Sequence, residues 1–152
     1  MDGLQGKLLD KTGWDILQAL QKDGRISYRE LGKEVGLSTP AVSERVRKLE
    51  ENGIIRGYQA VLDLERLGRP ITAFTSVKTN PEKNPNLIKF VEESPAVLEA
   101  HYITGDASFL LKIAVASIKE MEQLIQSISH YGATSTSIVM STYAEGKTLR
   151  PD

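Results

Sequence analysis

Two apolar patterns of helical period meet at the corner Gly36-Leu37-Ser38, and few folds accommodate so abrupt a junction. The stretch "LGKEVGLSTPAVSERVRKLEENGII" spans Leu31 to Ile55. Just upstream, Ser27-Tyr28-Arg29-Glu30 reads as a capping box: the serine hydroxyl accepts the Glu30 amide while the glutamate reaches back. The helix it opens buries Leu31 and Val35 and is predicted to end at Gly36. Ser38 caps the next helix, with Thr39 and Pro40 in the first turn, where a missing amide hydrogen costs little. That helix runs to Asn52, and Gly53 supplies a left-handed stop.

An earlier helical pattern starts at Asp10 as N-cap, places Ile16, Leu17 and Leu20 on one face, and stops before Gly24. Gly13 inside it is expected to weaken the helix by about 1 kcal/mol relative to alanine. After the third helix, Ile54-Ile55, Gly57 and Gln59 to Leu62 read as a small hairpin. Three helices with a terminal hairpin form a winged helix-turn-helix. "DLERLGRP", Asp63 to Pro70, has no sustained period and fits a linker.

Beyond Pro70 the period changes. "ITAFTSVKT" is strand-like, and Asn84-Pro85 opens a helix bearing Leu87, Ile88 and Val91. "AVLEAHYIT" and "FLLKIAVA" are strands joined through Gly105-Asp106-Ala107-Ser108. A second capping box, Ser117-Ile118-Lys119-Glu120, starts a helix with Met121, Leu124, Ile125 and Ile128 on one face, and "TSTSIVMSTY" is the last strand. This order is the ferredoxin-like βαββαβ arrangement, so the chain is α+β. The expected division is residues 1–62 as the winged domain, 63–70 as linker and 71–152 as the ferredoxin-like domain.

The chain's 152 residues suffice for such a pair of small domains. No apolar run is long enough to cross a membrane, and "MDGLQGKLLD" lacks the core of a signal peptide, so the expected location is the cytoplasm. Without cysteine there are no disulfides and no thiolate metal sites. Residues 1–70 carry 12 Lys/Arg against 11 Asp/Glu, and residues 71–152 carry 7 against 9, giving +1 and −2 of the overall −1. Any nucleic-acid site is therefore a local basic stripe.

The helix Ser38–Asn52 offers such a stripe. At about 100° per residue, Val42, Val46 and Leu49 face inward. Pro40, Ala41, Glu44, Arg47 and Lys48 lie opposite, with Ser43 at the margin. Small residues near the N-terminus permit close approach to base edges, and cations follow one and two turns later, as in a recognition helix. Free amides at that N-terminus also favour a phosphate. The alternative is a solvated face laced with i,i+4 pairs, Glu44 with Lys48 and Arg47 with Glu51. The capped helix and tight corner before it, together with the hairpin after it, favour DNA.

"LDKTGWDILQALQKDGRISYRELGKEVGLSTPAVSERVRKLEENGIIRGYQAVLDLERLG" resembles the DNA-binding half of the Lrp/AsnC (leucine-responsive, feast/famine) transcription regulators. "TGDASFLLKI" and "TSTSIVM" resemble that family's effector-binding and oligomerisation domain. The likeness covers nearly the whole chain. It implies homodimers built by pairing the second-half sheets, assembling further to octamers, with a small effector, typically an amino acid, between dimers. Two departures stand out. The family usually carries an acidic residue where Gly13 stands, which points to a less firmly held first helix. The leucine-responsive turn reads Gly-Asp-aromatic-Asp, whereas Ser108 here resembles the asparagine-responsive branch.

On this reading a duplex is met by Ser43, Glu44 and Arg47 at base edges and by Arg45, Lys48 and Arg56 at phosphates. Ser38, Thr39 and Pro40 form the close-approach turn. Arg25 and Tyr28 touch phosphate or are plain surface residues. In the second half, Asp106 is suited to an ammonium, while turn amides around Gly105 and hydroxyls of Ser108, Thr134, Ser135 and Thr136 suit a carboxylate. Thr104 opens that turn. The alternative is that "TSTS" is an exposed strand and Gly-Asp a tight turn.

His101 and His130 lie far apart and make no metal site, and no cofactor is expected. An enzymatic reading, as in tetrapyrrole decarboxylases that resemble this family, would lean on histidine and arginine in the second half. Its only arginine is Arg150, in the tail, and no activated nucleophile pairing is present. A further alternative makes the first half a partner-protein module.

Overall fold

The computed structural model describes residues 3–151 and divides into two compact units. One holds the chain up to Val61 together with the tail from Ala144, and the other runs from Leu62 to Tyr143. The tail, which the expected division grouped with 71–152, thus belongs with the helices. There the Gln21 side-chain amide donates to the Leu149 carbonyl at 3.2 Å and accepts the Leu149 amide at 2.7 Å.

The first unit contains α1 (Gly3–Leu8), α2 (Lys11–Lys22), α3 (Tyr28–Val35) and α4 (Thr39–Glu51). The short α1 has no counterpart in the periodicity; it delivers Leu8 to a core of Ile16, Leu17, Ala19, Leu31, Val42, Val46 and Leu49. The capping box at Ser27 is complete, with Oγ accepting the Glu30 amide at 3.2 Å and Glu30 Oε2 accepting the Ser27 amide at 3.3 Å. Gly36 closes α3 at φ +71°, a conformation that favours a residue without Cβ.

Gly13 differs from its expectation. A Cβ there would lie 1.8 Å from the Leu8 carbonyl oxygen, so the close crossing of chain and helix requires glycine, and alanine's helix propensity is beside the point.

No hairpin forms between Ile54 and Leu62. The amides of Ile54 and Ile55 both donate to the Leu49 carbonyl and finish α4, so they are unavailable to a ladder. The chain continues without a strand partner, leaving Val61 and Leu62 exposed. In the second unit, the expected linker forms one capped turn: Asp63 accepts the amides of Arg66 and Leu67, and Arg69 donates its amide to the Leu64 carbonyl.

The ferredoxin-like layer comprises β1 (Ile71–Thr79), α5 (Asn84–Glu93), β2 (Val97–Tyr102), β3 (Phe109–Val115), α6 (Ile118–Ser129) and β4 (Gly132–Ile138). The sheet is antiparallel in the order β2-β3-β1-β4. Alternate residues Ala73, Thr75 and Val77 of β1 and Phe109, Leu111, Ile113 and Val115 of β3 are buried, joined by Leu87, Val91, Met121 and Ile128 from the helices. Ile88 is exposed, and Leu124 and Ile125 are half-buried. The box at Ser117 is half-realised, because Glu120 accepts the Ala116 amide instead of that of Ser117. β4 stops short of the expected "TSTSIVMSTY": β1 begins at Ile71, so the chain past Val139 has no strand to pair with, and Met140 and Tyr143 are almost fully exposed.

Candidate nucleic-acid interface

Within the helical unit, Val42, Val46 and Leu49 anchor α4 and turn its other side outward. Ser38, Thr39 and Pro40 are exposed at its start, Ser43 is half-buried, and Glu44, Arg47 and Lys48 are exposed. Ser38 occupies the N-cap position, yet its hydroxyl makes no cap hydrogen bond; this corrects the expected capping role.

The outward charges form a network. Arg47 Nη2 donates to both Glu44 oxygens at 2.7 and 2.8 Å, Nε donates to Glu44 at 3.0 Å, and Nη1 pairs with Glu51. Lys48 lies 3.4 Å from Glu44. These bonds hold the Glu44 carboxyl below its usual range, the Arg47 hydrogen bond being the largest cause, and push the Arg47 guanidinium up, chiefly through Glu44. All the partners are about half exposed. Ion pairs this open to solvent hold weakly enough to be exchanged for a phosphate or a base edge. The two readings of the helix therefore describe one surface.

Arg45, expected among the phosphate contacts, is also engaged within the fold. Nη1 donates to Asp10 Oδ1 at 2.7 Å and Nη2 to Asp10 Oδ2 at 2.9 Å. The reason is its position one residue before Val46, beside the buried stripe and against the start of α2. Arg45 lowers the Asp10 carboxyl first, and the Gly13 amide lowers it further. Residue reading missed this partnership because Asp10 lies 35 positions away with no periodic link.

Arg56 and Arg25 are exposed, as is Tyr28 on α3. Tyr58, also missed, donates its hydroxyl to Glu50 at 3.0 Å and ties the segment after α4 to that helix. Burial and the Glu50 carboxylate push its phenol up to about 12.

The second-half candidates are only partly gathered. Thr104, Gly105 and Asp106 are exposed on the β2–β3 turn. Ser108 donates its amide to Val77, and its hydroxyl accepts the Thr79 amide at 3.3 Å. Val77 pairs with Phe109 on one side and Thr134 on the other, so turn and β4 reach the same end of the sheet with β1 between them. The run Thr134-Ser135-Thr136 alternates across the sheet, however. Thr134 and Thr136 share the helix-packed face with Val77 and Thr75, while Ser135 shares the opposite face with Ser76. A single ligand on this chain does not meet all three. Thr136 Oγ1 lies 3.0 Å from Thr75 Oγ1, and Thr136 also lines a cleft of about 410 Å³ between β4 and α6.

Comparison with known proteins agrees with this geometry. Residues 9–56 match a family model described as winged helix-turn-helix DNA-binding, and residues 72–149 match the Lrp/AsnC ligand binding domain. The uncharacterized HTH-type transcriptional regulator YezC of Bacillus subtilis is 39% identical over 88% of this chain and 95% of its own. The structure of LrpC from B. subtilis superposes with a TM-score of 0.86 at 33% identity, covering 90% of this chain and 97% of that one. A transcriptional regulator of Neisseria meningitidis, solved as a complex with L-methionine, gives 0.87 at 29% identity, covering 93% and 96%.

Proposed function

The chain belongs to the Lrp/AsnC family of transcriptional regulators, a family of DNA-binding proteins and not of enzymes, and from that premise we propose how its residues divide the work. Residues 1–62 act as the DNA-binding domain, 63–70 as a linker, and the sheet unit from 71 onward as the effector and assembly domain. The observation that carries this reading is the outward face of α4, where Arg47 and Lys48 are open to solvent within their unit and, among the described residues, paired with neighbours on the same helix.

A homodimer places two α4 helices in successive major grooves, about 34 Å apart, on a two-fold site. Ser43, Glu44 and Arg47 meet base edges; Lys48 and Arg56, with Arg25 from the loop before α3 and Tyr28 from its first turn, meet phosphates. Ser38, Thr39 and Pro40 let the first turn approach the backbone closely. Dimers assemble further to octamers. The effector is an amino acid held by Thr104, Gly105, Asp106 and Ser108 with hydroxyls of the β4 run, either Thr134 and Thr136 on one face of the sheet or Ser135 on the other. The L-methionine complex of the Neisseria relative supports this ligand class. The effector acts by binding one assembly better than another, since only differential affinity shifts an equilibrium. The place of action is the compartment that holds the DNA, the cytoplasm.

Selection of bound sequences from random duplex DNA, repeated with a panel of amino acids, tests the whole reading. A recovered consensus, shifted in yield by an amino acid, is the expected result, and an unbiased pool contradicts it. Arg47→Ala should weaken binding to the selected duplex by about 1–3 kcal/mol while leaving random DNA nearly untouched. Equal losses on both would reduce Arg47 to a phosphate contact.

A further inference from the structure

Asp10 has two tasks in this fold. Its Oδ1 accepts the Gly13 amide at 2.8 Å, closing the N-terminus of α2, and the same carboxylate takes both Nη atoms of Arg45 on α4. A guanidinium–carboxylate fork fixes direction as well as distance, because two parallel bonds resist rotation. The buried contacts that seat α4 are apolar, those of Val42, Val46 and Leu49, and the Tyr58–Glu50 hydrogen bond joins it only to the segment that follows it in the chain. Apolar burial is non-directional: it turns the stripe inward but leaves the finer rotation of the helix about its axis to directional contacts. Arg45 adjoins Glu44 in sequence and lies half a turn from Arg47, so any rotation of α4 that the fork prevents would carry those side chains with it.

We infer that the Asp10–Arg45 fork sets the rotation of α4 about its axis, and that Arg45 is a positioning residue for base readout and not a phosphate contact. The inference rests on the reading that α4 enters a duplex. Sequence specificity then depends on a carboxylate belonging to a different helix, one that touches no DNA.

The test uses the full-length chain, a duplex recovered by the selection above and one of scrambled sequence, each titrated across a salt range. Asp10→Asn keeps an oxygen for the Gly13 amide, so the α2 cap survives and only the charged fork is lost. Asp10→Asn and Arg45→Gln should each lower affinity for the selected duplex about twofold to fivefold. Both should leave the scrambled duplex and the slope of log K against log salt unchanged. The double variant should be no weaker than either single one, and Arg45→Lys, which keeps one charged contact, should recover part of the loss. A phosphate contact behaves in the opposite way. Arg45→Gln would then weaken both duplexes and reduce the slope by about one charge. Asp10→Asn would tighten both by freeing the guanidinium. Either result overturns the inference, as does an Asp10→Asn protein that discriminates as well as the parent. Failure of the parent to bind any duplex at low salt removes the DNA reading and this inference with it.

Discussion

The outward face of α4 and the hydroxyl run of β4 are both polar, both exposed in part, and both suited by composition to a ligand; they differ in what already holds their side chains. On α4, Glu44, Arg47, Lys48 and Glu51 bond to one another in solvent, each about half exposed. On the sheet, Thr136 is bonded to Thr75, which is fully buried, and Ser108 secures the Thr79 amide. Solvated ion pairs are readily exchanged, whereas a hydroxyl that satisfies a buried partner is committed to the fold. The side chains of the helix face can thus exchange partners at little cost. The strand offers a ligand chiefly what lies outside its internal bonds.

Substitutions rank this difference. Gly13→Ala should cost about 3 kcal/mol, at the upper end for overpacking, because the added carbon meets the Leu8 carbonyl oxygen. Thermal melting of the helical signal reads it, and a neutral result would mean that α1 and α2 separate easily. Thr136→Val should destabilise by about 1–3 kcal/mol by stranding the Thr75 hydroxyl, while Thr75→Val with Thr136→Val should be nearly neutral. Denaturant titration distinguishes the two, and a harmless single variant would erase the contrast drawn above.

Acid acts more weakly. The folded Asp10 carboxyl lies below its ordinary value of 3.8, held there first by Arg45 and then by the Gly13 amide. Its contribution is therefore complete above that value and lost as pH falls through the folded one. After solvent screening it amounts to less than about 1 kcal/mol. The stability gap between the parent and Asp10→Asn should close on acidification below pH 3.8; a gap that widens there would reverse the assignment. Smallest of all, Glu51→Gln should change stability by no more than about 0.5 kcal/mol, since Arg47 keeps Glu44. A loss larger than that in the same titration would show the α4 network to be structural and not exchangeable.

Local features were legible wherever their cause was local. The Ser27 box, the Gly36 stop, the Gly53 end of α4 and the inward stripe Val42-Val46-Leu49 follow from spacing and caps within a turn or two. The order of elements in the second half was legible for the same reason, since strand alternation and capped helices leave their period in the chain. The candidate DNA-binding residues were legible as a face. Their partners were legible only where three or four residues apart, as in the Glu44–Arg47–Glu51 set.

What spacing did not reveal depends on distant backbone. The expected hairpin after α4 did not form because Leu49's carbonyl takes the amides of Ile54 and Ile55, and β4 ended early because β1 has no residues left to pair with it. Gly13 looked like a weak point until the Leu8 carbonyl was found above it. The partner of Arg45, Asp10, lies across the fold and left no trace in the local spacing. The amino-acid sequence by itself determined the elements, their order and the sign of each surface, because those follow from period, caps and charge. Tertiary structure alone decided which polar groups remain free, because a side chain's partner across the fold is set by where two distant segments cross.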